Sequence, residues 1–236
     1  MATWISHMMI VDNLLKRGLN LDKIGFCVGN VAPDCNVENE DWTEFTPPRK
    51  VTHWMTGRSK LTADYEGFYD GYIRDKTFTS KEQYAFFMGY YAHLITDVRF
   101  QAMVRNEERV KKCFDRIKQR PEIREKIKEY PENFDTLKKV FGKERTLYDV
   151  TVHEVNYLKK NPESAYNTIL RKVNDFPDYM DILPKGGITR KIKIMAYEPE
   201  EQSLDDFVFF DKKEYLDFIA DTSDFIYEII QEKTEK

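Results

Sequence analysis

The sequence has few cysteines and no long apolar run. Only three of its 236 residues are cysteines (Cys27, Cys35 and Cys113), an odd number without a Cys-x-x-Cys pair. This pattern excludes a disulfide framework and a zinc ribbon. No stretch approaches the roughly 18 apolar residues that a membrane-spanning helix needs, so we expect no transmembrane segment.

An excess of basic residues is also missing. Lysine and arginine together number 37 against 41 aspartates and glutamates, which gives a formal net charge of −4 and an isoelectric point near 5.7. Sequence-independent binding to nucleic acids depends on neutralising phosphates, so this balance argues against it. Aromatic residues make up 14% of the chain, whereas disordered proteins are depleted in them. The composition therefore indicates a folded protein.

The N-terminal residues 1–18 are superficially similar to a signal peptide. They lack a basic start, and His7 and Asp12 interrupt their apolar part. Their apolar side chains recur at helical spacing. We therefore predict an amphipathic helix over residues 3–17 and a cytoplasmic location.

Helical periodicity continues through most of the chain, and it predicts a single all-α domain over residues 1–236. Residues 30–52 are the main exception, because they contain three prolines, clustered acids and no sustained period. Further helices are predicted over residues 21–28, 58–75 and 212–232. Short charged helices are predicted within residues 104–145, and another helix is predicted to start at Thr146.

The strongest predicted helix spans residues 80–104. Ser80 and Gln83 form a capping box at its start, which marks a helix N-terminus. The helix is apolar on most of its faces, so we expect it to be the central buried helix of the fold.

A histidine and an aspartate lie four residues apart on this helix. His93 and Asp97 leave the same helix face, and Gly89 one turn earlier removes side-chain bulk from it. An imidazole and a carboxylate at this spacing can hold one metal ion. A buried His–Asp salt bridge is the alternative.

Two segments before this helix carry further candidates. Asp34 follows Gly29, which lets the chain leave a helix, and Pro33, which stiffens the turn. A plain turn or capping role for Asp34 is the alternative. His53 stands beside Trp54 at the end of the long irregular segment.

Four motifs in the first hundred residues occur in a defined order. The first is a histidine on the first helix, His7, and the second is F-x-x-G-x-x-A-P-D at residues 26–34. The third is T-H at residues 52–53, and the fourth is G-x-x-x-H-x-x-x-D at residues 89–97 on a buried helix. In this order they resemble the zinc-dependent phospholipase C family, which is related to the fungal single-strand nucleases with a trinuclear zinc site. The resemblance covers roughly residues 1–100.

The resemblance implies a phospholipase C/nuclease-like helical bundle with the metal site between helices. It implies that Asp34, His53, His93 and Asp97 form one zinc site. Asp97 would bridge to a neighbouring metal that His7 helps to hold.

The chain also departs from the family pattern. Family members use the free amine of an N-terminal tryptophan as a metal ligand, but Trp4 is internal, and no histidine follows Asp97 within a few residues. We therefore expect one or two zinc ions, not three. His153 is the remaining candidate ligand, and Asp149 could ligate beside it or cap a helix in a capping box with Thr146.

The implied activity is hydrolysis of a phosphodiester by metal-activated water, with Asp34 as a ligand and proton acceptor. We expect a small-molecule phosphoester or a phospholipid headgroup as the substrate. A non-catalytic metal-binding module or a pseudoenzyme that keeps the scaffold is the alternative. An HD-type nucleotide phosphohydrolase is less favoured because the chain has no His-Asp dipeptide. The family-like core would extend to about residue 160, with a further helical part over residues 161–236.

Some side chains are candidates for contacting the substrate. The ring of Trp54, with those of Trp42 and Phe45, suits an ammonium group or a nucleobase, and ordinary core packing is the alternative. Arg99 is a candidate to meet negative charge on a phosphoryl group. Arg49 and Arg58 are further candidates for that role.

Overall fold

A computed structural model of the chain describes residues 2–200 and 208–234, without the side chains of residues 143 and 144. Helices dominate this part of the chain, and its strands form one two-stranded sheet. The all-α fold class predicted from the sequence is therefore confirmed, while the division near residue 160 stays a prediction. The helices are α1 (Trp4–Lys16), α2 (Lys23–Gly29), α3 (Arg49–Thr52), α4 (Tyr65–Tyr72), α5 (Lys81–Arg105), α6 (Glu107–Lys118), α7 (Pro121–Ile127), α8 (Phe134–Lys160), α9 (Ala165–Thr168), α10 (Gly187–Met195) and α11 (Lys212–Thr234).

The segment predicted to be irregular contains several short elements. A 3-10 turn covers Ala32–Asp34, and strands β1 (Val37–Glu38) and β2 (Phe45–Thr46) pair antiparallel. Helix α3 then occupies the end of the segment, where the prediction of irregular structure is wrong. None of these elements exceeds four residues, so no period could reveal them.

Helix α5 begins where its capping signal predicts. The hydroxyl of Ser80 accepts a hydrogen bond from the backbone N–H of Gln83 at 3.0 Å. The side-chain oxygen of Gln83 accepts from the backbone N–H of Thr79 at 2.7 Å. Every residue from 85 to 97 is buried, which confirms that α5 is the central helix.

Helix α2 packs backbone to backbone on α5 because glycines face the contact. A Cβ atom on Gly29 would lie 2.0 Å from the carbonyl oxygen of Phe86, and one on Gly89 would lie 2.2 Å from that of Phe26. No side chain fits at either position. The close approach brings the turn that follows α2 next to His93.

The later helices differ from the prediction at one point. Thr146 does not start a helix but lies inside α8, which has a kink at Gly142, where φ is 78°. The Thr146 hydroxyl donates to the Gly142 carbonyl oxygen at 2.6 Å, so the predicted capping box with Asp149 does not form.

Helix α11, predicted from residue 212, packs on α1, α5 and α8 and completes the bundle. Across residues 2–200 and 208–234, no helix combines the length and the hydropathy that a membrane crossing requires.

Candidate metal centre

Four side chains from three separate elements converge at one buried point. Asp34 ends the 3-10 turn after α2, His53 follows the last residue of α3, and His93 and Asp97 lie one turn apart on α5. His53, His93 and Asp97 are fully buried, and the Asp34 side chain is 12% exposed. The structure therefore brings together four residues that the sequence analysis singled out.

The facing atoms of Asp34, His53 and His93 all lie within 4.8 Å of one another, and Asp97 belongs to a second such group with His93. The Nε2 atom of His53 lies 3.2 Å from Oδ1 of Asp34 and 3.5 Å from Oδ2 of Asp97. The Nε2 atom of His93 lies 3.2 Å from Oδ2 of Asp97 and 3.3 Å from Nε2 of His53. A tetrahedral zinc ion with ligands at about 2.0–2.1 Å holds those ligands about 3.3–3.4 Å apart.

Hydrogen bonds fix the orientation of both imidazole rings. Nδ1 of His93 donates to the backbone oxygen of Asn30 at 2.8 Å, and Nδ1 of His53 donates to that of Arg49 at 3.1 Å. A neutral imidazole whose Nδ1 carries the proton presents a lone pair at Nε2. Two lone pairs 3.3 Å apart repel each other unless a cation lies between them, so the donor set fits a metal ion.

His7 extends the cluster on one side. Its ring stacks on that of His93 with centroids 4.0 Å apart, and its Nδ1 lies 3.2 Å from the side-chain oxygen of Asn30. Nε2 of His7 and Oδ1 of Asp97 are both buried and have no hydrogen-bond partner within the described chain. One ligand atom from each of His7, His93 and Asp97 lies within 4.8 Å of the others. His93 has only Nε2 free to ligate, because its Nδ1 donates to Asn30, so a second ion beside the first would be held by His7 and Asp97.

A lysine that the sequence analysis did not single out enters the same cluster. The Lys60 ammonium lies 2.5 Å from Oδ2 of Asp97 and 3.4 Å from Oδ1 of Asp34. Lys60 lies in a 3-10 turn, Lys60–Thr62, and is only 7% exposed. Lys60 belongs to no motif, so the sequence gives no signal that it reaches the cluster. Asn30, the hydrogen-bond partner of His93, does lie inside a motif, that of residues 26–34.

The charges of the cluster are set by these contacts. Burial alone would raise the pKa of Asp34, but the Lys60 ammonium, together with the contact with His53, outweighs it and holds that pKa well below its usual range. The pKa of Asp97 is lowered in the same way, by Lys60 and His93 against burial. Burial, with a contribution from Lys60, lowers the pKa of His53 to about 4. Ionised carboxylates and a neutral imidazole are the forms that bind metals.

An aromatic cavity of about 300 Å³ opens beside Asp34. The Lys191 ammonium already lies over the rings of Trp42 and Phe45, at 4.8 and 5.7 Å from their centroids, and the Arg49 guanidinium lies 3.8 Å from the centroid of Phe45. The cavity therefore presents cations as well as aromatic faces. Its lining includes Trp4, Asp34, Trp42, Phe45, Arg49, Tyr166 and Lys191.

The two residues predicted to contact substrate lie elsewhere. The ring of Trp54 packs edge-on against Phe68 and Tyr72, with centroids 5.7 and 5.8 Å away, so it serves the core. Nε of Arg99 donates to the Thr222 hydroxyl at 3.2 Å. A helical offset of two from Asp97 turns Arg99 to another face of α5, where it contacts α11.

His153 is also remote from the cluster. Neither candidate metal group in the described chain contains His153 or Asp149. The His153 ring stacks on that of Tyr215, with centroids 5.8 Å apart. Oδ2 of Asp149 accepts hydrogen bonds from the backbone N–H groups of Phe209 and Phe210 at 2.7 and 3.0 Å. Asp149 therefore holds the chain before α11, and the proposed ligand roles of both residues are not supported.

Comparison with models of protein families, with curated proteins and with solved structures gave no match. The chemistry of the site therefore has to be argued from its own geometry.

Proposed function

We propose that this chain is a metal-dependent phosphoesterase that holds zinc between Asp34, His53, His93 and Asp97. The observation that carries the proposal is the convergence of four buried acceptor atoms, including two imidazole nitrogens 3.3 Å apart. The resemblance to the zinc-dependent phospholipase C family supports the same activity.

Zinc bound at such a site polarises a phosphoryl oxygen and lowers the pKa of water. The chain supplies the other requirements. Oδ1 of Asp34 faces His53, while the same carboxylate lines the aromatic cavity. The carboxylate is ionised, and we propose that it accepts the proton that the attacking water loses.

Positive charge surrounds the position that a phosphoryl group would take. Lys60 contacts both carboxylates of the cluster, and Arg49 lines the cavity beside Asp34. Fixed cations of this kind stabilise the negative charge that develops on phosphoryl oxygens during hydrolysis. We propose a charge-stabilising role for both residues.

The cavity favours an anionic or neutral substrate group over a choline-like ammonium. The Lys191 ammonium, which is paired with Glu38, already lies over the rings of Trp42 and Phe45, so it occupies the aromatic faces that a choline-like ammonium would need. We propose a small phosphoester, or a phospholipid headgroup without a cation, as the substrate of a cytoplasmic enzyme.

One observation favours a second candidate function. The Lys60 ammonium already neutralises part of the charge of Asp34 and Asp97. A non-catalytic protein that keeps the cluster only to join its helices would use Lys60 in this way. This alternative predicts a folded chain with no metal.

Zinc analysis and a hydrolysis assay distinguish the two candidates. The purified chain is dialysed against zinc, and its metal content and its turnover of bis-p-nitrophenyl phosphate are measured before and after chelation. We expect at least one zinc per chain and turnover that stops on chelation and returns with zinc. Turnover that survives complete zinc removal contradicts the phosphoesterase, and a zinc-free, inactive, stable chain supports the alternative.

A further inference from the structure

A second depression adjoins the metal centre and has five cations among its lining residues. It has a volume of about 480 Å³ and is called here the basic groove. Lys60 lines it and also contacts Asp34 and Asp97. Arg49 and Leu147 line both this groove and the aromatic cavity. The charged residues of the groove are Arg49, Arg58, Lys60, Arg105, Lys138 and Asp135.

The charge of the groove contrasts with that of the chain. Five cations face one acid there, although the whole chain has a formal charge of −4. The one acid, Asp135, is already paired with Arg105 at 2.9 Å. Arg58 and Lys138 are exposed, and neither forms an ion pair with any residue that the structure describes. The groove therefore keeps an excess of uncompensated positive charge.

Arg49 adds a donor that the fold leaves unused. Its Nε is buried and has no hydrogen-bond acceptor within the described chain. A buried donor without an acceptor is costly, and its guanidinium is held in place over the ring of Phe45. A planar guanidinium binds phosphate through paired hydrogen bonds, and Arg49 lines the groove, so it is placed to bind an anion there.

We propose that the basic groove binds a second phosphate group of the substrate, next to the ester that is cleaved at the metal centre. The substrate class is then a phosphoester with at least two phosphate groups. The identity of the cleaved bond rests on the proposed function, but binding of the second phosphate does not. The same chemistry is offered by a small bisphosphate and by a phospholipid headgroup that carries a second phosphate.

Binding of hydrolysis-resistant probes tests this inference. Alkyl bisphosphonates with spacers of two to six carbons are compared by calorimetry with alkylphosphonates of the same length, on the chain after dialysis against zinc. Contacts of a phosphonate with two cations are expected to add about tenfold or more in affinity. We expect the best bisphosphonate to bind at least about tenfold more tightly than its monophosphonate.

Two double variants that change the net charge equally test whether the groove cations cause the preference for bisphosphonates. R58Q/K138Q removes two groove cations, whereas K81Q/R124Q removes two exposed cations outside the groove. The preference should fall to about twofold or less in R58Q/K138Q and stay unchanged in K81Q/R124Q. A wild-type chain without any preference, or a preference that survives in R58Q/K138Q, overturns the inference.

Vesicles identify the source of the phosphate. Sedimentation with vesicles that contain phosphatidylinositol 4-phosphate, but not with vesicles that contain phosphatidylinositol, assigns the groove to a lipid headgroup if it is lost in R58Q/K138Q. Bisphosphonate preference without sedimentation assigns it to a small molecule.

Failure of this inference is distinguishable from failure of the proposed function. A wild-type chain that holds zinc and hydrolyses bis-p-nitrophenyl phosphate without preferring bisphosphonates overturns only the groove. A chain that prefers bisphosphonates but holds no zinc and hydrolyses nothing overturns only the function.

Discussion

Two histidines on two long helices invite a direct comparison. His93 on α5 and His153 on α8 each have an aspartate one helical turn away, Asp97 after the first and Asp149 before the second. Both pairs are largely buried. The spacing of histidine and aspartate along one helix is therefore the same in both regions, and it does not show which pair is suited to bind a metal.

The two histidine–aspartate pairs differ in the groups that contact their carboxylates. Asp149 directs Oδ2 to the backbone N–H groups of Phe209 and Phe210, so its carboxylate is used by the fold. Asp97 keeps one oxygen without a hydrogen-bond partner within the described residues, and its other oxygen faces two imidazoles. The difference teaches that a candidate metal site needs side chains from further elements, which here come from the segments around Asp34 and His53.

The largest expected contrast is between alanine variants of the two histidines. H93A removes a ligand atom, and we expect zinc content to fall below half and turnover of bis-p-nitrophenyl phosphate to fall about 1,000-fold or more. H153A should keep its zinc and stay within about threefold of wild-type turnover. Equal zinc content in both variants would contradict the assignment of His93.

The lysine beside Asp97 and the arginine beside Asp149 give the next contrast. Lys60 contacts Asp97 at 2.5 Å, while Arg145 lies 3.5 Å from Asp149 and its side chain is 41% exposed. K60M should lower turnover about 10- to 100-fold with zinc retained, because a fixed cation is lost. R145M should leave turnover unchanged.

The same pair of variants tests the non-catalytic alternative. In the presence of chelator, K60M leaves two buried carboxylates without their cation and should lose about 3 kcal/mol of stability or more. Denaturant melts with and without zinc measure this loss. A K60M chain that is equally stable without metal speaks against any role of Lys60 in the cluster.

Glycine 89 tests the helix contact that places Asn30 beside His93. G89A introduces a Cβ atom 2.2 Å from the Phe26 carbonyl oxygen, so we expect a loss of about 1–3 kcal/mol and weaker zinc binding. G187A is the matched control, since its nearest contact is 3.4 Å away. Chemical denaturation and zinc titration of both variants measure the difference.

The smallest expected effect concerns Asp149. D149N weakens the hydrogen bonds to the N–H groups of Phe209 and Phe210, and we expect a loss of about 1–2 kcal/mol with zinc content unchanged. Zinc loss in D149N that exceeds its loss of folded protein would place Asp149 in the metal centre after all.

Much of the fold was open to prediction because the long helices carry their own signals. Ser80 and Gln83 mark the start of α5, and its apolar faces mark it as central. The kink of α8 escaped because Gly142 takes a positive φ inside a helical pattern. Thr146 therefore looked like a cap, although it lies within the helix.

The candidate site was predictable where its residues lie in spaced motifs. Asp34, His53, His93 and Asp97 come together in the structure, but Trp54 and Arg99 do not join them. Side chains outside a motif are placed by tertiary packing, which a single sequence does not display. Lys60 reaches the cluster from a short turn for the same reason.

Anomalous X-ray scattering at the zinc edge, from crystals of the zinc-loaded chain, tests the central claim most directly. We expect a peak at about 2.0–2.2 Å from Nε2 of His53, Nε2 of His93 and a carboxylate oxygen of Asp34 and Asp97. A map without a peak there, with the Lys60 ammonium as the only cation among these side chains, would contradict it.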